Sequence, residues 1–386
     1  MALAAALVVL QSVAVDPAPR VEAFQLDERM RAAIGRLQRE RDPAPDPTNR
    51  HELDPRAARI GQRLFHDARL SANGSVSCAS CHDPAQGFTT KDALAKGIGA
   101  TTRNAPTLLD ASRRRWFGWG GRNDTLWSQA IVPLLAPHEM GSSAEALARV
   151  LDSDASLREA WREVHGDEPV GGDALLAQAG KSLAAYQRQL ATGPSAFDRW
   201  AAALRAGDAN EVARYPIEAA RGAALFFGKA NCRSCHAGAE FTDEEFHDLG
   251  LPPVKGAKRD EGRREGLRQL LADRFRADSP HSDARDGERA RELAHLSPMD
   301  EDWGRFKTPS LRNATRTAPY MHTGQFATLR DVVRFYSTLD QAAARGHHGE
   351  TVLQPLNLSE AEIDDLVAFL GTLEGELPPE HLLRAP

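Results

Sequence analysis

Along most of the chain, apolar residues recur at helical rather than alternating spacing. Ile363, Leu366, Val367 and Leu370 fall at i, i+3, i+4 and i+7 and form one apolar stripe. Ser359 followed by Glu362 marks the start of that helix as a capping box. A comparable stretch runs from about Asp173 to Leu190, and strand-type alternation is scarce, so the spacing predicts a mainly α fold. The run Ala58–Phe65 (ARIGQRLF) is echoed by Ala220–Phe226 (ARGAALF), and Gly87-Phe88-Thr89 by Glu240-Phe241-Thr242. The chain therefore reads as a duplication, with one helical unit over 50–205 and a second over 206–386. Each opens with one helix and closes with another.

Three stretches punctuate this pattern. Asp42 to Thr48 is proline-rich and reads as an extended lead-in, and the region around Gly193 to Pro216 joins the two units. Residues 253–304, with Lys255, Lys258 and clustered Arg and Asp, show little periodicity and read as a solvated excursion beside the second unit. Composition adds little. The 386 residues, 41% hydrophobic and 26% charged with a net charge of −6, are those of a globular protein of two or three domains. A mildly acidic chain lacks the basic footprint of a nucleic-acid binder.

The cysteines change the picture. All four fall in two copies of one pattern, Cys78-Ala-Ser-Cys81-His82 and Cys232-Arg-Ser-Cys235-His236. C-x-x-C-H is the attachment signature of c-type haem. Two thiols so spaced reach the two vinyl groups of one haem, and the adjacent histidine becomes the proximal iron ligand. A shared zinc site would not explain a histidine after each pair, and a thioredoxin-like site would need one pair in a βαβ context. The reading is two covalent haem c groups, with His82 and His236 on iron.

Covalent haem is normally installed outside the cytoplasm, so an export signal is expected. Residues 1–15 (MALAAALVVLQSVAV) are too short to span a bilayer, and Ser12-Val13-Ala14 suits a signal peptidase. No positive region precedes the apolar run, so it reads as a truncated or misassigned signal peptide of a periplasmic protein.

Further blocks surround the haem motifs: Arg103-Asn104-Ala-Pro-Thr107, Trp116-Phe-Gly-Trp119-Gly-Gly-Arg122, Gln129, Pro133 and Glu139-Met-Gly141. Phe306-Lys-Thr-Pro-Ser-Leu-Arg-Asn313 and Thr317-Ala-Pro319-Tyr-Met-His322-Thr-Gly324 follow. In order and spacing, from about residue 55 to 373, these blocks resemble the bacterial di-haem cytochrome c peroxidases and their MauG-like branch.

The resemblance implies that the haem on His82 is peroxidatic, with Glu139 and Gln129 above the iron. Such a carboxylate takes a proton from the inner peroxide oxygen and returns it to the outer one. Read alone, Glu139 is equally a helix N-terminal acid. The resemblance further implies that the haem on His236 relays electrons, with Trp119 between the haems; read alone, Trp119 is an ordinary core aromatic. It maps a calcium ion to Asn104 and the carbonyls of Thr317 and Pro319, a donor set calcium favours.

Two departures stand out. The loop Lys96–Arg103 has no histidine where peroxidases that rest inactive carry one, so the first haem is expected open in every redox state. Tyr336 stands where the peroxidases place a methionine over the second haem, which is the MauG-like feature. A phenolic oxygen there favours high oxidation states. The competing ligands are Met321 and Met299.

Three functions follow. A peroxidase would reduce hydrogen peroxide with electrons from a small cytochrome c or a cupredoxin. A MauG-like enzyme would use peroxide to oxidise tryptophan or another side chain of a partner protein. A di-haem electron carrier would do no chemistry, and the Glu139–Gln129–Trp119 set argues against it. A homodimer is a further partner the resemblance implies, and His347-His348 reads as an exposed pair rather than a metal site.

Overall fold

The computed structural model describes residues 26–40, 42–167, 171–252, 254, 260–343 and 353–386. The leader at 1–15, Lys255, Lys258 and His347-His348 lie outside them. Eight helices carry the architecture: α1 (Glu28–Gly35), α2 (Pro55–His66), α3 (Leu126–Leu135), α4 (Gly172–Arg188), α5 (Ile217–Phe227), α6 (Arg263–Ala272), α7 (Leu329–Thr338) and α8 (Glu360–Gly371). Among the described residues, one two-residue pair is the only sheet, Phe246–His247 antiparallel to Phe306–Lys307. No helix among these residues is long and apolar enough to cross a membrane.

One helix crossing occurs twice. In the first half α2 crosses α4, and in the second half α5 crosses α8, each at a glycine. A Cβ on Gly61 would stand 2.0 Å from the Ser182 carbonyl oxygen, and one on Gly222 would stand 1.9 Å from that of Asp365. Only a residue without a side chain lets the backbones meet so closely. Phe65 then packs on Tyr186, and Phe226 on Phe369, with ring centroids 5.3 and 5.0 Å apart. The capping box read from Ser359 and Glu362 is formed, and Ile363, Leu366 and Leu370 face inward.

Two cores result. The first gathers Ile60, Leu64, Phe65, Trp127, Ile131, Leu183 and Tyr186. The second gathers Phe197, Trp200, Phe226, Phe241, Ile363 and Phe369. The joining segment is not a plain linker, since helix Ala196–Ala206 inserts Phe197 and Trp200 into the second core. The lead-in is held by the Arg188 guanidinium donating to the carbonyls of Pro43 and Ala44, and it ends in a turn at Pro47-Thr48 rather than staying extended, with Asn49 N–H donating to Asp46 O at 3.1 Å.

Residues 260–304 depart from the sequence reading. Rather than a solvated excursion beside the second unit, they pack on the first. Leu267, Leu270, Ala277 and Leu293 enclose Trp116 and Phe246 in a small third core. Gly266 abuts Gly120, Phe275 joins the first core beside Trp127, and Asp283 pairs with the buried Lys181 at 2.6 Å. Four of the segment's charged residues pair with the first half, Asp260 with Arg103, Arg274 with Asp173, Asp283 with Arg50 and Lys181, and Glu292 with Arg115.

Candidate functional site

Both attachment motifs are short turns, Cys78–Cys81 as one α-turn and Cys232–Ser234 as a 3-10 turn. His82 Nδ1 lies 3.1 Å from the Phe88 carbonyl, and His236 Nδ1 lies 3.0 Å from that of Phe241. Both phenylalanines are fully buried and hold left-handed backbone (φ 57° and 52°), a conformation costing on the order of 1 kcal/mol for a bulky residue. The cost is met because it aims each carbonyl at an imidazole. That bond places the proton on Nδ1 and leaves the Nε2 lone pair free for a metal. Burial lowers the pKa of both histidines, keeping them in the neutral, ligating form.

A pocket adjoins the first motif, lined by Cys78, Cys81, His82, Gln129, Pro133 and Glu139 among others. The structure thus brings together the attachment pair, its histidine and the two distal residues expected from sequence. Gln129 sits on α3, whose N-cap Thr125 accepts from the Ser128 amide. Its Oε1 is buried with no hydrogen-bond partner among the described residues, an acceptor open to a donor from something bound. Glu139 Oε1 lies 4.0 Å from Arg122 Nη2 and 3.8 Å from His138 Nε2. The histidine-free loop docks against it: Ile98 N–H donates to Glu139 O, and Gly99 N–H to His138 O, both at 2.9 Å. Gly97 is needed there, because a Cβ would fall 2.5 Å from Glu139 Cα.

The second site is found by register. The N-caps Thr125 and Thr328 open helices of equal length, α3 and α7. Eight residues after Thr125 comes Pro133, which lines the first cavity; eight after Thr328 comes Tyr336. Burial, then the neighbouring Cys232 and Cys235, raise the Tyr336 pKa and keep its hydroxyl protonated. That hydroxyl has no hydrogen-bond partner among the described residues. Gln129 has Val332 as its counterpart, so the polar acceptor is confined to the first half. Met299 is 49% exposed and does not enter a core.

Between the halves, Trp119 and His322 occupy equivalent places. Asn104 N–H donates to His322 O at 2.8 Å, and Lys307 N–H, from the matching position, donates to Trp119 O at 2.9 Å. The indole meets the imidazole edge-on at 6.4 Å, and Trp119 Nε1 donates to Asn104 O at 2.8 Å. His322 stacks on Phe306 at 3.7 Å, and burial drives its pKa down to about 4. Asn104 turns its amide nitrogen to the Ala93 and Asp92 carbonyls. Its Oδ1 and the carbonyls of Thr317 and Pro319 accept no hydrogen bond from described residues, which fits them as oxygen donors to a hard cation.

The profile of the family described as di-haem cytochrome c peroxidase matches residues 55–206. The chain is 35% identical over 328 residues to the methylamine utilization protein MauG of Methylorubrum extorquens, covering 84% of this chain and 80% of that protein. It is 34% identical over 330 residues to the cytochrome-c peroxidase IdrP2 of Pseudomonas sp. strain SCT, covering 84% and 82%. The chain belongs to the di-haem cytochrome c peroxidase family. The structure superposes on the diheme peroxidase BthA of Burkholderia thailandensis with a TM-score of 0.67 at 26% identity, covering 89% and 93%. A MauG-like protein associated with microbial copper homeostasis gives 0.67 at 27%, covering 90% and 95%.

As a di-haem peroxidase family member, the chain is a haem oxidoreductase, and the family implies two haem c groups. Sequence reasoning passed over two residues at this site. His322 lay inside a quoted motif, and counting nine residues on from Asp110 and from Asn313 would have paired it with Trp119. Arg122 lay in the Trp119 block, but only folding sets its guanidinium beside Glu139.

Proposed function

We propose that this di-haem peroxidase, exported to the periplasm, reduces hydrogen peroxide at the His82 site with electrons from a small cytochrome c or cupredoxin. The observation that carries the reading is the buried, unpartnered Gln129 Oε1 in the same cavity as Glu139 and the Cys78–His82 motif. When bound through Cys78/Cys81 and Cys232/Cys235, the haems supply the redox-active iron. Glu139 takes the proton from the inner peroxide oxygen and delivers it to the outer one, which leaves as water. Gln129 Oε1 accepts a hydrogen bond from the peroxide O–H and orients it. Trp119 relays charge between the halves while Nε1 keeps its proton on the Asn104 carbonyl. Two electrons and two further protons complete the conversion of one peroxide to two waters. Calcium held by Asn104, Thr317 and Pro319 would tie the loops on either side of that relay.

Tyr336 favours a second reading, oxidation of a side chain on a partner protein. Its register with Pro133 and its unpartnered hydroxyl support a phenolic ligand on the second haem, which suits high oxidation states better than a thioether. Anaerobic titration of holoprotein with peroxide, followed by absorption and EPR and then by reduced cytochrome c, separates the two. Rapid consumption of two cytochromes per peroxide supports the peroxidase. Oxidising equivalents stored for minutes and indifferent to cytochrome c refute it and support the partner-oxidising reading. Because the loop docked there carries no histidine, a haem held by Cys78, Cys81 and His82 would be expected high-spin in the fully oxidised protein, and a low-spin spectrum would contradict the open site.

A further inference from the structure

Trp116 and Trp119 lie on one loop, three residues apart, in opposite electrostatic settings. Trp116 is 5% exposed and is surrounded by guanidinium groups: Arg263 at 4.7 Å from its ring centroid, Arg289 at 5.4 Å and Arg115 at 5.5 Å. Arg263 is itself 5% exposed and donates to the carbonyls of Gly120 and Gly121 at 3.3 and 3.0 Å. No carboxylate among the described residues lies within ion-pair distance of it; Asp302 and Glu245 act on it only from farther away. Burial pulls its pKa down to about 10, which leaves it a cation at neutral pH. Glu292 faces both other arginines, 3.0 Å from Arg115 and 3.7 Å from Arg289, and Asp124 acts on Arg289 from farther off. The cations around the ring outnumber the carboxylates close to it.

Trp119 has no cation over its face among the described residues. Its N–H rests on the Asn104 carbonyl, and its ring neighbour is the His322 imidazole, met edge-on at 6.4 Å. Removing an electron from an indole leaves a positive charge on the ring. Guanidinium groups about 5 Å away in a buried setting oppose that charge, whereas a carbonyl dipole at the N–H stabilises it.

We propose that Arg263, Arg289 and Arg115 bar Trp116 from oxidation and confine the migrating charge to Trp119. They are positioning residues, and residues 260–304 supply two of them, giving that segment a role in directing electrons. The inference rests on the relay through Trp119 proposed above. On the intended path, Trp119 loses one electron to the site that peroxide has oxidised and regains one from the donor, its N–H bond intact. Off the path, an indole loses two electrons overall, one ring C–H is replaced by C–OH, and the peroxide supplies the oxygen and leaves water.

The test treats holoprotein with limiting hydrogen peroxide in the absence of donor, then maps oxygen addition by peptide mass spectrometry and tryptophan radicals by EPR. Arg289→Gln, Arg289→Lys and the double variant Arg263→Gln/Arg289→Gln are compared, with both haem spectra and far-UV circular dichroism confirming the fold. Wild type and Arg289→Lys should carry oxygen at Trp119 with Trp116 near background. Arg289→Gln should raise oxidation of Trp116 at least tenfold, and the double variant further. Equal oxidation of both indoles in wild type, or Gln variants in which Trp116 stays intact while Trp119 reacts, would overturn the cage. Absence of any tryptophan radical or adduct would overturn the relay itself, and the cage with it.

Discussion

Replacing Gly61 or Gly222 by alanine tests whether the two halves are built on the same close helix crossing. A Cβ at 61 would sit 2.0 Å from Ser182 O and 2.6 Å from its carbonyl carbon; at 222 it would sit 1.9 and 2.6 Å from those of Asp365. An ordinary carbon–oxygen contact is roughly 3.3 Å, so each pair of helices must part by more than 1 Å. Overpacking costs about 1–3 kcal/mol and occasionally more. Because the obstacle is backbone, no rotamer relieves it, and the upper end applies. Alanine returns up to about 1 kcal/mol of helix propensity, leaving a net loss of about 2–3 kcal/mol. For halves of this size that lowers the melting temperature by roughly 4–12 °C. Thermal unfolding followed by Soret circular dichroism reads it, and the effects should be local. Gly61→Ala should loosen the cavity lined by Phe65, Leu183 and Gln187 and disturb the first haem signal, while Gly222→Ala should disturb the second. Gly371→Ala, where nothing lies within 4 Å, is the control. If either crossing variant melts within about 1 °C of that control, the reasoning is wrong.

Glu139→Gln should lower peroxide turnover by about 10²–10⁴-fold in stopped flow, with haem content unchanged. Tyr336→Met should raise the potential of the second haem and change its optical spectrum in a spectroelectrochemical titration; an unchanged spectrum would show that residue 336 does not face the iron. Burial pushes the Asp124 pKa up to about 6, with Ala277 N–H on one oxygen and no partner among the described residues on the other. A carboxyl raised above its unfolded value stabilises the fold fully below about pH 4 and ceases to do so as pH rises through about 6, a swing of about 3 kcal/mol. Asp124→Asn should flatten that dependence in urea midpoints measured at pH 4.5 and 7.5, and a parallel pH slope in wild type and variant would refute it.

Much of this was legible because it is local. The C-x-x-C-H motifs, the Ser359–Glu362 cap and the apolar stripe of α8 each lie within a dozen residues. The register of Tyr336 with Pro133 needs only counting from two threonine caps. Residues 260–304 were misread for a physical reason. Leu267, Leu270, Phe275 and Leu293 are scattered among charges, and the aromatics that complete their cores, Trp116 and Trp127, lie some 150 residues upstream. Arg263 and Lys181 look like solvent-facing cations in sequence, yet both are buried on aromatic faces, Lys181 with Asp283 as counter-ion. Such partners are chosen by the fold, and no periodicity records them.

The way the first half is finished has a consequence for biosynthesis. Besides residues 260–304, it borrows the C-terminus: Leu382 enters its core, the Tyr186 hydroxyl donates to Leu382 O, and the Gln62 amide donates to the carbonyls of His381 and Arg384. A chain emerging from its N-terminus presents Cys78 and Cys81 long before these final pieces exist. Throughout that interval the α2–α4 crossing lacks its cover, and the pocket beside it stays loosely held. Cofactor ligation machinery would therefore meet an accessible first motif on the nascent chain, and residues 381–384, made long after it, would seal it. A fragment ending near residue 205 would display the motif without the closure that Leu382 and its neighbours provide.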